Sequence, residues 1–101
     1  MTPEKRVQNS IVQYLKKLEK DYPVYVERRQ AGGFSYKMGI ADLYAVVNGK
    51  HLEIEVKRPG GQLRPMQIKW KELCQSRNIA WVCAESLEEV IAVVQKLLKE
   101  N

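Results

Sequence analysis

Apolar positions near the start of the chain recur at helical spacing, with Val7, Ile11, Tyr14, Leu15 and Leu18 on one face. Thr2 and Pro3 supply an N-cap and an N1 proline, and Asp21-Tyr22-Pro23 ends the helix. Val24 to Arg29 is β-branched and aromatic and predicts a strand, followed by a mobile glycine-containing loop from Ala31 to Gly39. Ala41 to Val47 and Lys50 to Lys57 are two further strand-like runs. Asn48-Gly49 between them is the strongest short-range signal for a type I′ hairpin. Arg58-Pro59-Gly60-Gly61 breaks the second run, and Arg64-Pro65 opens a helix with Met66, Trp70, Leu73 and Cys74 on its apolar side, ending at Asn78. Ile79 to Ala84 predicts a buried strand. Ser86-Leu87-Glu88-Glu89 predicts a capping box ahead of a last helix that turns Leu87, Val90, Ile91, Val94, Leu97 and Leu98 inward. The expected order is α, β, β, β, α, β, α, an α/β chain.

The two-residue turn fixes the hairpin register: Val47 pairs with Lys50 and, counting back along both strands, Asp42 comes to face Glu55. Leu43, Ala45, Val47, Leu52, Ile54 and Val56 then share the face that helices would cover. Asp42, Tyr44, Val46, His51, Glu53, Glu55 and Lys57 share the other. Two carboxylates directly opposed, with Cβ atoms about 4.5–5.5 Å apart, repel each other. A hard divalent cation held by carboxylate, carbonyl and water oxygens would offset that repulsion. Lys57 projects from the same face, where an ammonium can orient an attacking water or neutralise charge growing on a phosphate oxygen.

Composition narrows the partner. The 101 residues suffice for one domain spanning 1–101, and 45% hydrophobic with 29% charged residues is a composition that folds. Seventeen Lys and Arg against twelve Asp and Glu leave a net charge of +5, which favours a polyanionic partner such as DNA. The sequence is expected to be neither membrane-bound nor exported, since its apolar runs are short and its start lacks a signal-type apolar region. Cys74 and Cys83 fit no disulfide framework and read as reduced core residues, and a lone His51 excludes a His-rich zinc site.

Gly39-Ile40-Ala41-Asp42, Glu55-Val56-Lys57, Arg58-Pro59-Gly60-Gly61 and Gln67 together resemble the VRR-NUC family, a branch of the PD-(D/E)xK nucleases, over most of the chain from Glu4 to the last strand. The resemblance implies a restriction-endonuclease-like αβββαβ core with a C-terminal helix, and Mg²⁺ or Mn²⁺ dependence. It implies metal ligation by Asp42, Glu55 and the Val56 carbonyl, Lys57 acting on the water, and Gln67 completing the site. The first-helix glutamate of the family would be Glu4 or, less well, Glu19. The implied activity is DNA endonuclease cleavage of four-way junctions or other branched DNA, in replication, recombination or repair. Stand-alone viral members would act as homodimers in the host-cell cytoplasm. One departure stands out: Ala41 occupies the position where many members carry proline, which bears on strand entry rather than chemistry.

Plainer readings exist for each residue. Asp42 and Glu55 could form a surface ladder with neighbouring cations, Glu53 is expected to be solvated, and His51 to be a surface residue near the turn. Gln67 falls at N3 of its helix, where glutamine caps the backbone. Trp70 and Trp81 are expected in the core. Arg28, Arg29, Lys37, Arg58, Arg64 and Lys69 flank the site, where cations reach phosphates. The alternative function is a catalytically silent DNA-binding module of the same fold.

Overall fold

The computed structural model describes residues 1–29 and 38–100; Phe34, Tyr36, Lys37 and most of the glycine-containing loop lie outside the described residues. Helix α1 runs Pro3–Leu18, strand β1 Val24–Arg28, β2 Leu43–Val47, β3 Lys50–Val56, helix α2 Pro65–Ser76, strand β4 Ala80–Ala84 and helix α3 Leu87–Lys99. The four strands form one sheet in the order β1-β2-β3-β4, antiparallel except for the parallel pair β3 and β4, which α2 connects.

Local chemistry accounts for most boundaries. The Thr2 hydroxyl accepts from the Lys5 N–H at 3.2 Å, capping α1. Asn48 and Gly49, with φ of 54° and 78°, make the hairpin turn, and Val47 pairs with Lys50. At the end of α2, Asn78 adopts φ 59°, so that the Ile79 N–H reaches the Cys74 carbonyl at 2.9 Å and the Asn78 N–H reaches Gln75 at 3.2 Å, a Schellman ending.

Leu43, Ala45, Val47, Leu52, Ile54 and Val56 line the inner face of the sheet with Val24 and Val26, and α1 (Ile11, Leu15) and α3 (Val90, Val94, Leu97) close over them. Each buried Val, Leu or Ile among them contributes roughly 1.5–3 kcal/mol by leaving water. The opposite face is not open: α2 lies across it, its Gln67 and Trp70 reaching side chains of β3. The described chain is therefore helices, sheet, helix.

Four expectations need correction. β4 is an edge strand, half-buried except at Ala84, because the sheet ends there. The apolar side of α2 is narrower than its sequence suggests: Leu73 is exposed, as is Ile68, while Cys74 is buried and Trp70 half-buried. Trp81 is likewise half-buried rather than a core residue, with the Lys71 ammonium 5.2 Å above its ring. The capping box of α3 does not close on Ser86, because Glu89 Oε1 accepts from the Glu85 N–H at 3.3 Å and from the Ser86 hydroxyl at 3.5 Å, leaving that hydroxyl as a donor. Both cysteines are free thiols, Cys74 buried and Cys83 half-buried, and no helix among the described residues is long and apolar enough to cross a membrane.

Candidate active site

The hairpin brings Asp42 and Glu55 to one end of the sheet. Asp42 stands one residue before β2 rather than within it, but its carbonyl accepts the Arg29 N–H at 2.8 Å, which extends the β1–β2 ladder by one step. Glu55 is next to last in β3 and only 3% exposed. Its Oε1 accepts from Gln67 Nε2 at 2.8 Å and its Oε2 from the Val56 N–H at 3.2 Å. Gln67 also caps: its Oε1 accepts the Arg64 N–H at 2.8 Å. One amide thus caps the helix and contacts Glu55, its oxygen facing the N–H and its nitrogen the carboxylate.

Two residues of α1, one turn apart, reach the same place. Gln8 Nε2 donates to Asp42 Oδ2 at 3.1 Å, and Glu4 Oε1 accepts the Arg58 N–H at 3.3 Å. Glu19 lies elsewhere, accepting the Val26 N–H at 3.0 Å, so of the two first-helix glutamates only Glu4 approaches the site. Sequence reasoning passed over Gln8; the signal available was its i, i+4 relation to Glu4. Lys57 continues β3 by donating its N–H to the Ala84 carbonyl at 3.0 Å, and its charge acts on both Asp42 and Glu55. The Arg58-Pro59-Gly60-Gly61 turn that follows closes with Gly61 N–H on the Arg58 carbonyl at 2.8 Å, and Gly60 takes φ 79° as the third residue of a type II turn requires.

The electrostatics match crowded carboxylates. Burial, and then the charge of Asp42, push the Glu55 carboxyl up to about 7 against the pull of Lys57. Partial burial also raises Asp42, with Glu4 adding to the rise and Lys57, Lys5 and Arg64 opposing it.

Glu53 is not solvated. It is 1% exposed, and Arg29 grips it with two bonds of 2.6 Å, Trp70 Nε1 donates to it at 2.9 Å, and His51 Nε2 also bonds it. Burial alone would raise its carboxyl, but the donors of Arg29, His51 and Trp70 prevail and hold it below the usual glutamate range. Trp70 is therefore a donor in the roof over β3 rather than a core residue. His51 faces Val46 as the register requires, but it is tied to Glu53 and stacks on Tyr44, with ring centroids 5.0 Å apart.

Among the flanking cations, Arg29 spends its donors on Glu53 and on the Ala41 carbonyl at 2.8 Å. Arg28 bonds Asn9 Oδ1 at 2.7 Å, Arg58 and Lys69 are exposed, and Arg64 is half-buried beside Glu55. Lys5, Gln8, Arg28, Arg29 and Asp42 line a pocket of about 190 Å³.

Among the described residues no three of His, Cys, Asp and Glu lie close enough to hold a metal ion by themselves. A cation here would draw on Asp42, Glu55 and the Val56 carbonyl, with water or substrate oxygens completing its shell. The fit is chemical: the exposed Asp42 carboxyl, the buried Glu55 carboxyl and a backbone carbonyl make a hard-oxygen donor set of the kind a hard divalent ion takes.

The chain shares its fold with two solved structures, one described as a VRR_NUC domain and the other as a VRR_NUC domain protein. The first superposes with a TM-score of 0.75, covering 94% of this chain and 97% of its own, at 23% identity. The second gives 0.74, covering 95% and 88%, also at 23% identity. No family model and no curated protein matches the sequence.

Proposed function

We propose that this chain is a nuclease of the VRR-NUC type, a DNA endonuclease dependent on Mg²⁺ or Mn²⁺ that hydrolyses phosphodiester bonds and selects four-way junctions or other branched DNA in replication, recombination or repair. The carrying observation is Glu55: a carboxylate 3% exposed, held by Gln67 at 2.8 Å, pushed up to about 7 beside Asp42, with Lys57 acting on both. Such an arrangement is costly in a surface ladder and useful in a site. The fold shared with VRR_NUC domains supports the same reading.

The residues divide the work. Asp42, Glu55 and the Val56 carbonyl would hold the divalent ion, which when bound supplies Lewis-acid charge against the scissile phosphate. Gln67 fixes the orientation of Glu55, while Gln8 does the same for Asp42. Glu4 steadies the Arg58 backbone beside Lys57. The Lys57 ammonium can hold the attacking water or neutralise charge growing on a phosphate oxygen. One water is consumed per bond: its oxygen joins phosphorus, and the departing ester oxygen takes up a proton.

The test offers matched linear, flap and four-way-junction DNAs to the purified protein with Mg²⁺, Mn²⁺ or chelator. Cleavage is expected with either ion and not with chelator, and Asp42→Ala or Glu55→Ala should abolish it while cooperative unfolding in chelator is retained. Wild-type cleavage by either variant would overturn the site, and the absence of any cleavage would overturn the function.

A further inference from the structure

Resting on the nuclease reading, we propose that Glu53 is a positioning residue of the site: one buried carboxylate ties the backbone carrying Asp42 and the helical turn carrying Gln67 to the same strand. Glu53 and Glu55 alternate on the outer face of β3, and Trp70 and Gln67 stand three apart on the facing side of α2. Trp70 Nε1 reaches Glu53 Oε1 at 2.9 Å and Gln67 Nε2 reaches Glu55 Oε1 at 2.8 Å. The helix is thus bonded to the strand at two points one turn apart, which fixes its rotation over β3 as well as its distance from it.

The other half of the site is tied through Arg29. Its guanidinium bonds both oxygens of Glu53 at 2.6 Å, and the same Nη1 reaches the Ala41 carbonyl at 2.8 Å, next to Asp42. Its backbone N–H bonds the Asp42 carbonyl at 2.8 Å. The Tyr44 ring, which stacks on His51, has its centroid 4.8 Å from the guanidinium carbon and packs against the fork. Asp42 precedes β2 and has no place in the β2–β3 ladder of its own, so Arg29 supplies the fixation that the ladder does not. A fully satisfied buried network of this kind fixes geometry as well as contributing stability.

Two variants separate positioning from folding. Trp70→Phe keeps an aromatic, though smaller, side chain and removes the N–H, and Arg29→Lys keeps the charge and removes the fork. Leu97→Ala, in α3 on the other face of the sheet, serves as a control for general loss of stability. Amide hydrogen exchange is measured in chelator, and cleavage of DNA with Mn²⁺ is measured at varied substrate. Trp70→Phe is expected to speed exchange about tenfold at residues 64–69, and Arg29→Lys to do so at residues 40–44, with the rest of the sheet unchanged. Both should lower kcat about tenfold and leave KM for DNA within about twofold, since misplacing reacting groups costs rate rather than binding. Leu97→Ala should speed exchange throughout and leave kcat per folded molecule unchanged. Exchange in the two variants that follows the pattern of the control, or an unchanged kcat, would overturn the proposal. If the wild type cuts no DNA, the nuclease reading fails, and exchange alone decides whether the network fixes these two segments.

Discussion

Glu55 costs the folded protein free energy whenever it is ionised without a cation. Burial first and Asp42 second raise its carboxyl from 4.5 to about 7. Below about pH 4.5 it is protonated in folded and unfolded chains alike, so its neutral form imposes no charge penalty. Between about pH 4.5 and 7 the unfolded chain gives up this proton while the folded state keeps it, so stability falls by up to ~3 kcal/mol and levels off once Glu55 ionises in the folded state as well. Gln67 can donate to an amide oxygen as it does to the carboxylate. Urea unfolding in chelator should therefore find Glu55→Gln more stable than the wild type by ~2–3 kcal/mol near pH 8, and nearly equal to it near pH 4. A difference independent of pH would show that Glu55 is not the group responsible. The closeness of Asp42 and Glu55 at one end of the hairpin was legible from the Asn48-Gly49 turn, because a two-residue turn leaves one register, which the ladder follows as far as Leu43 and Ile54. The donors around them were not: Gln8 on α1 and the Arg29 N–H after β1 reach Asp42, and Trp70 on α2 reaches Glu53, from elements whose placement is set by tertiary packing.

At the scale of elements, Gly39 decides how closely α2 can approach the sheet. It takes φ 70°, and a Cβ there would stand 2.3 Å from the backbone carbon and oxygen of Met66 and 2.5 Å from the Gln67 nitrogen. These are backbone atoms of the first turn of α2, so they cannot yield without moving Gln67 from Glu55. Gly60 takes a similar φ of 79°, but a Cβ there would meet nothing within 4 Å. The left-handed backbone costs a non-glycine residue ~1–2 kcal/mol at either position, and overpacking adds ~1–3 kcal/mol at Gly39 alone. Gly39→Ala should thus lose more stability than Gly60→Ala in chemical denaturation and should also lose cleavage; equal losses would mean that α2 tolerates displacement. The sequence carries the order of the elements, the hairpin register and the inner face, since period-two alternation and a turn dipeptide are local signals. It does not carry which helix covers which face. Glu53 reads as solvated for that reason: alternation places it opposite the core, and only the crossover of α2 between β3 and β4 turns that face into a second interior. The three-residue spacing of Gln67 and Trp70, matched to the two-residue spacing of Glu53 and Glu55, was the available hint.

For the whole molecule, the net charge of +5 predicts DNA affinity that weakens with salt by about 0.9 logarithmic units per neutralised phosphate. Arg29 does not belong in the test of that slope, because removing it leaves Glu53 buried and unpaired, which costs stability first. Arg28→Ala, Arg58→Ala and Lys69→Ala combined should flatten the slope by up to about 3, and an unchanged slope would mean that the duplex runs over another surface. The proposed action on four-way junctions carries an expectation about assembly. The described chain brings together one set of Asp42, Glu55 and Lys57, whereas resolving a four-way junction takes two symmetric cuts in opposed strands. A two-fold dimer supplies two such sets in the required symmetry, and isologous pairing is the commonest way for a small chain to reach it. Met38, at the edge of the described residues and 42% exposed, and Ile68 on α2, 43% exposed, offer apolar surface that pairing would cover. Sedimentation equilibrium without DNA should therefore give twice the chain mass of 11.7 kDa. Junction DNA should be nicked in opposed strands faster than linear duplex of the same sequence. A monomeric mass with equal rates on both DNAs would remove junction resolution and leave an endonuclease that cuts one strand at a time.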